Sequence, residues 1–217
     1  MTPGLVLDAV SLRLQGRRLV PPLSAQVGAG QVLAVMGPSG VGKSSLLAWV
    51  AGLLQPPLQG EGRVHLAGRE LTALPVEQRR VGLMFQDDLL FPHLDVLANL
   101  LFALPPGDRD TRRREALAAL ADAGLVGLER RHPHQLSGGQ RSRVALLRTL
   151  LARPDAVLLD EPFSRLDAAL RSQLRDWVWA TLRQRGVPAL LVTHDEADAP
   201  PDAQRIVLAS ATEGDRA

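Results

Sequence analysis

The sequence predicts an α/β protein centred on a parallel β-sheet. Three observations carry that reading. Consecutive apolar residues form short runs at Val32-Leu33-Ala34-Val35-Met36, Ala156-Val157-Leu158-Leu159 and Ala189-Leu190-Leu191-Val192. Strands buried on both faces, as in parallel sheets, read this way. The first run leads directly into a glycine-rich turn, residues 37–42, and then a helical stretch, residues 44–50. Between the second and third runs, Leu166, Leu170, Leu174, Trp177, Val178 and Leu182 recur near i, i+4 spacing, the stripe of a helix packed on one face. Strands that alternate with helices lie parallel to one another.

The other elements follow in chain order. Residues 5–14 and 62–66 are short, partly alternating runs among Gly and Pro, and read as antiparallel strands beside the core. Residues 92–151 read mostly as helix. Within them Asp110 or Thr111 is expected to cap a helix running through Ala123, with Gly124 ending it. Gly186 is expected to stop the helix that precedes the third apolar run. Residues 211–217 read as a frayed tail. The expected organisation is one domain over 1–210, with a core of about 1–86 and 154–210 and a helical subdomain of about 87–153.

Composition narrows the class. The chain has 217 residues, 46% apolar and 22% charged, the balance of a globular protein long enough to bury a core. Apolar runs fall well short of the roughly 20 residues a membrane helix needs. The first residues lack the basic and apolar regions of a secretory signal. Cysteine is absent, which excludes disulfides and thiolate metal sites. The formal charge is +2, without the clustered basic face of a nucleic-acid binder, so no nucleic-acid partner is expected. Arg112-Arg113-Arg114 reads as a solvated helix face. Among 25 basic residues the sole lysine is Lys43. A compact ammonium kept where every other cation is arginine points to a site that needs a point charge.

Three segments carry chemistry. Gly37-Pro38-Ser39-Gly40-Val41-Gly42-Lys43-Ser44 matches the phosphate-loop pattern G-x-x-x-x-G-K-S/T in full. Its glycines let backbone N–H groups approach phosphate oxygens, and the following helix adds its positive end. Lys43 is expected to reach the β- and γ-phosphates and Ser44 to ligate magnesium. In Leu158-Leu159-Asp160-Glu161 an acidic pair ends a buried strand, at the ligand edge of such a sheet. Asp160 is expected to hold the metal, and Glu161 to polarise an attacking water. Leu136-Ser137-Gly138-Gly139-Gln140 has capping-box spacing. Two glycines in a first helical turn each cost about 1 kcal/mol relative to alanine. They expose N–H groups to something that must come close, such as an anion. The phosphate loop around Lys43 is already complete, so this helix start addresses another phosphate.

These segments, in this order, resemble the ATP-binding subunits of ABC transporters, and the resemblance spans about residues 5–206. It implies a phosphate-loop core with an antiparallel subdomain and a helical signature subdomain. It further implies a head-to-tail homodimer with two ATP molecules, each between one subunit's phosphate loop and the other's Ser137–Gln140 helix start. By the same resemblance Phe85-Gln86-Asp87 is the Q-loop, with Gln86 contacting magnesium and water. Ser164-Arg165-Leu166-Asp167 resembles the D-loop, and Thr193-His194-Asp195 the switch, with His194 touching the γ-phosphate.

Residues 90–99 look like the stretch after the Q-loop in bacterial importer ATPases, lining a groove for a permease helix. The resemblance therefore implies ATP hydrolysis on the cytoplasmic face of the inner membrane, coupled to import through integral-membrane permease subunits, with a substrate-binding protein as a further partner. An exporter motor or a non-transport ABC ATPase stays open as the alternative. Three departures stand out. Leu14 occupies the position of the usual adenine-stacking aromatic, Arg165 replaces a small D-loop residue, and Pro200-Pro201 interrupts the region after the switch.

Overall fold

The computed structural model describes residues 4–209; the expected tail at 211–217 lies outside them. In chain order the elements are β1 (Leu5–Leu14), β2 (Arg17–Val27), β3 (Val32–Met36), α1 (Lys43–Ala51), β4 (Leu58–Leu66), β5 (Arg69–Glu70), the one-turn α2 (Val76–Arg79), β6 (Val81–Met84), α3 (Val96–Ala103), α4 (Arg109–Asp122), α5 (Gly138–Leu151), β7 (Ala156–Asp160), α6 (Ala168–Arg185), β8 (Ala189–Val192) and β9 (Gln204–Val207). Short 3-10 turns lie at Pro133–Gln135 and Glu196–Asp198.

The three apolar runs are strands β3, β7 and β8, and every residue in them is buried. β3 pairs in parallel with β8, and β8 with β7. The full order is β6-β7-β8-β3-β9. The sequence reading missed the two edge strands. An edge strand covers less apolar surface, so its pattern is diluted: β9 reads Gln-Arg-Ile-Val and has no buried residue. A second sheet, β2-β1-β4-β5, is antiparallel, as 5–14 and 62–66 foretold, although β2 and β5 were not read.

Two compact units divide the chain. The first is drawn from the stretch ending at Leu83, from Asp155–Glu161, and from Trp179 onward. Its core joins Leu5, Leu7, Leu12 and Val64 of the antiparallel sheet to Leu33, Leu158 and Leu190 of the parallel sheet and to Leu46, Leu47 and Val50 of α1. Each such side chain contributes about 1.5–3 kcal/mol by leaving water.

The second unit comprises Met84–Pro154 and Pro162–Val178. Its three main helices are capped by side chains: Asp95 for α3, Asp108 for α4 and Ser137 for α5. The expected α4 cap at Asp110 or Thr111 is therefore corrected. Asp108 accepts from Thr111 N at 2.8 Å, and the helix starts earlier because Asp108, at φ −58° and ψ 132°, can reach that amide. The stripe on α6 is also shifted. Leu166 precedes the helix, and Leu174, Val178, Trp179 and Leu182 are the buried positions. Trp177 is half-buried, and its indole donates to Asp122 at 3.3 Å.

One buried cation ties the first unit together. Arg79 is 5% exposed. Its guanidinium donates to the carbonyl oxygens of Trp49, Val50, Thr72 and Leu74 at 2.9–3.0 Å. Two of those carbonyls, Trp49 and Val50, belong to the last turn of α1, where backbone donors run short, although Trp49 O also accepts from the Gly52 amide at 3.0 Å. A planar fork can serve four acceptors at once; an ammonium cannot. Replacing Arg79 with Met keeps the length but removes the donor that these carbonyls share, and is expected to cost about 2–4 kcal/mol. Thermal unfolding should then fall by roughly 5–15 °C. An unchanged midpoint would show that the capping contributes little.

Candidate functional site

The glycine-rich turn leaves the end of β3 and enters α1 at Lys43. Gly42 is the N-cap, with φ 102° and no side-chain hydrogen bond to the first turn. Any side chain there would be strained by that φ, and its Cβ would meet Val20 at 2.8 Å and Leu19 at 3.0 Å. The first-turn amides of α1 are thus left to an external acceptor. Lys43 is 7% exposed and donates from Nζ to the carbonyls of Gly37 and Pro38, each at 2.8 Å. An ammonium carries three donors, so the lysine is anchored across the mouth of its own loop.

The other predicted residues of the first unit converge on the same sheet edge. β3, β7 and β8 run parallel, so the segments that follow them emerge at one carboxyl-end edge. Asp160 ends β7 and is 6% exposed. Burial raises its carboxyl above the ordinary range; a hydrogen bond from the Ser44 hydroxyl opposes this, the neighbouring Glu161 charge adds to it, and Lys43 opposes it. Glu161 follows with φ 48°. A non-glycine residue there stores about 1–3 kcal/mol of strain. Its amide donates to Val192 O at 2.9 Å. Its carboxylate lies 3.2 Å from His194 Nδ1.

The turn that carries the histidine is braced in part by residues that sequence reasoning missed, Asp198 and Trp179. Thr193 Oγ1 donates to Asp198 at 2.7 Å and accepts from the Asp195 amide at 3.1 Å. The Trp179 indole donates to Asp198 O at 3.0 Å. Asp198 is 1% exposed. This lock fixes the turn after β8, so His194 projects from a rigid base. The spacing of Thr193 and Asp198 in a short polar turn was the available signal, and it resembles many ordinary turns.

Beside the phosphate loop lies a cleft of about 480 Å³ lined by Leu14, Gln15, Arg17, Arg18, Leu19, Ser39, Gly40 and Val41. That volume falls in the usual small-molecule range of ~300–1,000 Å³. Its walls combine aliphatic side chains with two arginines, and among the described residues no aromatic ring lines it.

The remaining predicted residues, Gln86 and Ser137-Gly138-Gly139-Gln140, belong to the second unit. The capping box is present in full: Ser137 Oγ accepts from Gln140 N at 3.2 Å, and Gln140 Oε1 accepts from Ser137 N at 2.8 Å. The two glycines serve different ends. A Cβ on Gly139 would press on Arg165 O at 3.1 Å and Leu166 at 3.2 Å, whereas one on Gly138 would meet only the tip of Arg141 at 3.9 Å. Gly139 is needed for internal packing, and Gly138 keeps the helix start open.

A parallel sheet with a complete glycine-rich loop and a buried aspartate at one edge defines a phosphate-loop nucleotide-binding protein. The family model of the ABC transporter matches residues 20–164. The chain is 45% identical over 210 residues to the uncharacterised ABC transporter ATP-binding protein YnjD of Escherichia coli K12, covering 96% of this chain and 97% of that one. It is 44% identical over 187 residues to the thiamine import ATP-binding protein ThiQ of Ruegeria sp. TM1040, covering 85% and 80% respectively. It spans 52% and 56% of the length of longer sulfate/thiosulfate and Fe(3+) import relatives.

Among solved structures, the dimeric ATP-binding cassette MJ0796 bound to ADP and Pi superposes with a TM-score of 0.83 at 28% identity, over 96% of this chain and 97% of that one. The chain belongs to the ABC transporter family. It is an ATP-binding subunit of that family, and its fold is that of an ABC ATPase.

The Asp160 environment sets a pH dependence. A carboxyl whose pKa is raised by folding binds its proton more tightly folded than unfolded. Its ionisation therefore removes stability as pH climbs from the ordinary carboxylate range to the raised value, and the penalty is complete above it. Asp160→Asn in the nucleotide-free chain should melt on the order of a few degrees higher than the parent at pH 7. The difference should close below about pH 4. A variant that melts lower at pH 7 would contradict the assignment.

Proposed function

We propose that this chain is the motor subunit of a bacterial importer, binding and hydrolysing ATP to drive substrate through a separate permease. The observation that carries the reading is the convergence of Lys43, Ser44, Asp160, Glu161 and His194 on one sheet edge. In this reading the amides of Gly37-Pro38-Ser39-Gly40-Val41-Gly42 and the start of α1 cradle the phosphates, and Lys43 exchanges a loop carbonyl for a phosphate oxygen. Glu161 accepts a proton from the attacking water, and the 3.2 Å contact from His194 orients that carboxylate and faces the γ-phosphate. Strain at Glu161 is accepted because it aims the base.

Magnesium fits the donors at hand. The Ser44 hydroxyl and the Asp160 carboxylate are hard oxygen ligands already joined by a hydrogen bond, and Mg²⁺ takes one or two protein oxygens beside phosphate. When bound, the ion would neutralise charge developing on the phosphates. Gln86 is proposed as the residue that senses this ion and the water and reports to the permease.

Residues 1–210 would act as one ATP-binding domain. Two copies would associate head to tail, so that Ser137, Gly138, Gly139 and Gln140 of each close over the nucleotide held by the other. The dimeric cassette neighbour supports this. Relatives named for sulfate, Fe(3+) and thiamine import support the direction of transport. No helix among the described residues is long and apolar enough to cross a membrane. Attachment to the cytoplasmic face through the permease accords with that. The exposed Phe102, packed edge-on against Phe91 at 4.7 Å, is the apolar feature best suited to that docking.

Glu161→Gln is expected to bind ATP as the parent does while turnover falls at least about 100-fold. Nucleotide binding by calorimetry beside phosphate release would check this. Full activity in the variant would refute the base assignment.

A further inference from the structure

Asp88 lies two residues beyond Gln86 and is a buried carboxylate engaged by several partners. Its side chain is 8% exposed. One oxygen accepts from Ser142 Oγ at 2.7 Å. The other faces Arg141 Nε at 3.4 Å and Arg165 Nη1 at 3.3 Å, and its own carbonyl accepts from Arg148 at 3.4 Å. Arg165 also reaches Asp87 at 3.5 Å. Three segments therefore meet on one carboxylate: the stretch after Gln86, the first turns of α5, and the turn 164–167.

Each partner matters for a different reason. Ser142 is a buried hydroxyl whose burial is tolerable only because it has an acceptor. Arg141 and Arg165 supply the two cations that offset a buried negative charge. Arg165 is one of the sequence's departures from the family pattern, and its backbone carbonyl is the atom nearest to where a Gly139 Cβ would stand, at 3.1 Å. Its side chain thus pulls the 164–167 turn onto the stretch after Gln86, while its backbone packs against the start of α5.

We propose that Asp88 is a positioning residue and Arg165 its latch: together they hold the Ser137–Gln140 helix start and the 164–167 turn in the one geometry competent for ATP turnover. The inference rests on the proposed ATPase function, but its test includes a readout that needs no hydrolysis. Asp88→Asn is nearly isosteric and keeps an acceptor for Ser142 while removing the charge that both arginines face. Arg165→Ala removes the latch from a half-exposed position and leaves the core untouched.

The experiment measures steady-state ATP turnover and melting temperature for Asp88→Asn, Arg165→Ala, the double variant and Arg165→Lys. Amide hydrogen exchange at Gln140 and Arg141 is followed in the nucleotide-free proteins. Arg165→Ala should lose about tenfold in kcat with KM for ATP within about twofold and an unchanged melting temperature. The double variant should be no worse than the poorer single one, because both remove the same interaction. Arg165→Lys should recover part of the loss. Exchange at Gln140 and Arg141 should quicken in Arg165→Ala as the helix start loosens.

A parental kcat in Arg165→Ala, losses that multiply in the double variant, losses that follow melting temperature, or unchanged exchange at Gln140 and Arg141 would each overturn the latch. A parent chain that turns over no ATP would instead refute the proposed function, and the exchange measurement would still decide the latch.

Discussion

In β3, β7 and β8 every side chain is buried, so polar chemistry in this sheet is confined to where those strands stop. Because the strands are parallel, they stop together. The glycine-rich loop, the Asp160-Glu161 pair and Thr193-His194 are the residues at which the three apolar runs end. The core and the site are thus one arrangement: the apolar runs that drive burial also set the spacing of the groups at their ends. Adding a polar residue within a run would weaken the sheet, and lengthening a run would displace the site.

Charge inside this protein is handled in three ways. Arg79 is surrounded by main-chain carbonyls and works as a helix cap. Asp88 is matched to two arginines and a hydroxyl. Asp160 keeps a carboxylate in a desolvated place with incomplete compensation. Incomplete compensation suits the metal-binding role proposed for Asp160, since a carboxylate fully satisfied within the chain would have little to offer a cation. The strained backbone at Glu161 follows the same logic, with stability given up at the residue proposed as the base.

Much of this was legible in the sequence, for physical reasons. Strands buried on both faces, a loop that fits phosphate, and a capping box are local patterns, and each formed where it was read. Elements whose stability comes from partners far along the chain were not legible. β6 and β9 are edges that lean on β7 and β3; each is four residues long, and β9 mixes Gln and Arg with its two apolar residues. Asp108 takes the α4 cap from Asp110 and Thr111 because its own non-helical backbone lets its carboxylate reach the Thr111 amide, which the sequence does not declare. Asp198, Asp88 and Arg79 carry no signal in the sequence, yet each is buried by contacts made across the fold. The glycines at 138 and 139 read as a pair, and only the packing of Arg165 and Leu166 separates their tasks.

The central claim is that one chain's phosphate loop needs another chain's Ser137–Gln140 helix start to hydrolyse ATP. Gly138 gives the cleanest test, since a side chain there meets almost nothing of its own chain, and Gly138→Asp should fold while placing a negative charge against the partner's nucleotide. The measurement is ATP turnover of the purified chain against protein concentration, beside that variant. Rates that climb more steeply than linearly and collapse in Gly138→Asp are the predicted result. Rates that stay linear and ignore the variant would describe a phosphate-loop enzyme acting alone, and would contradict the account.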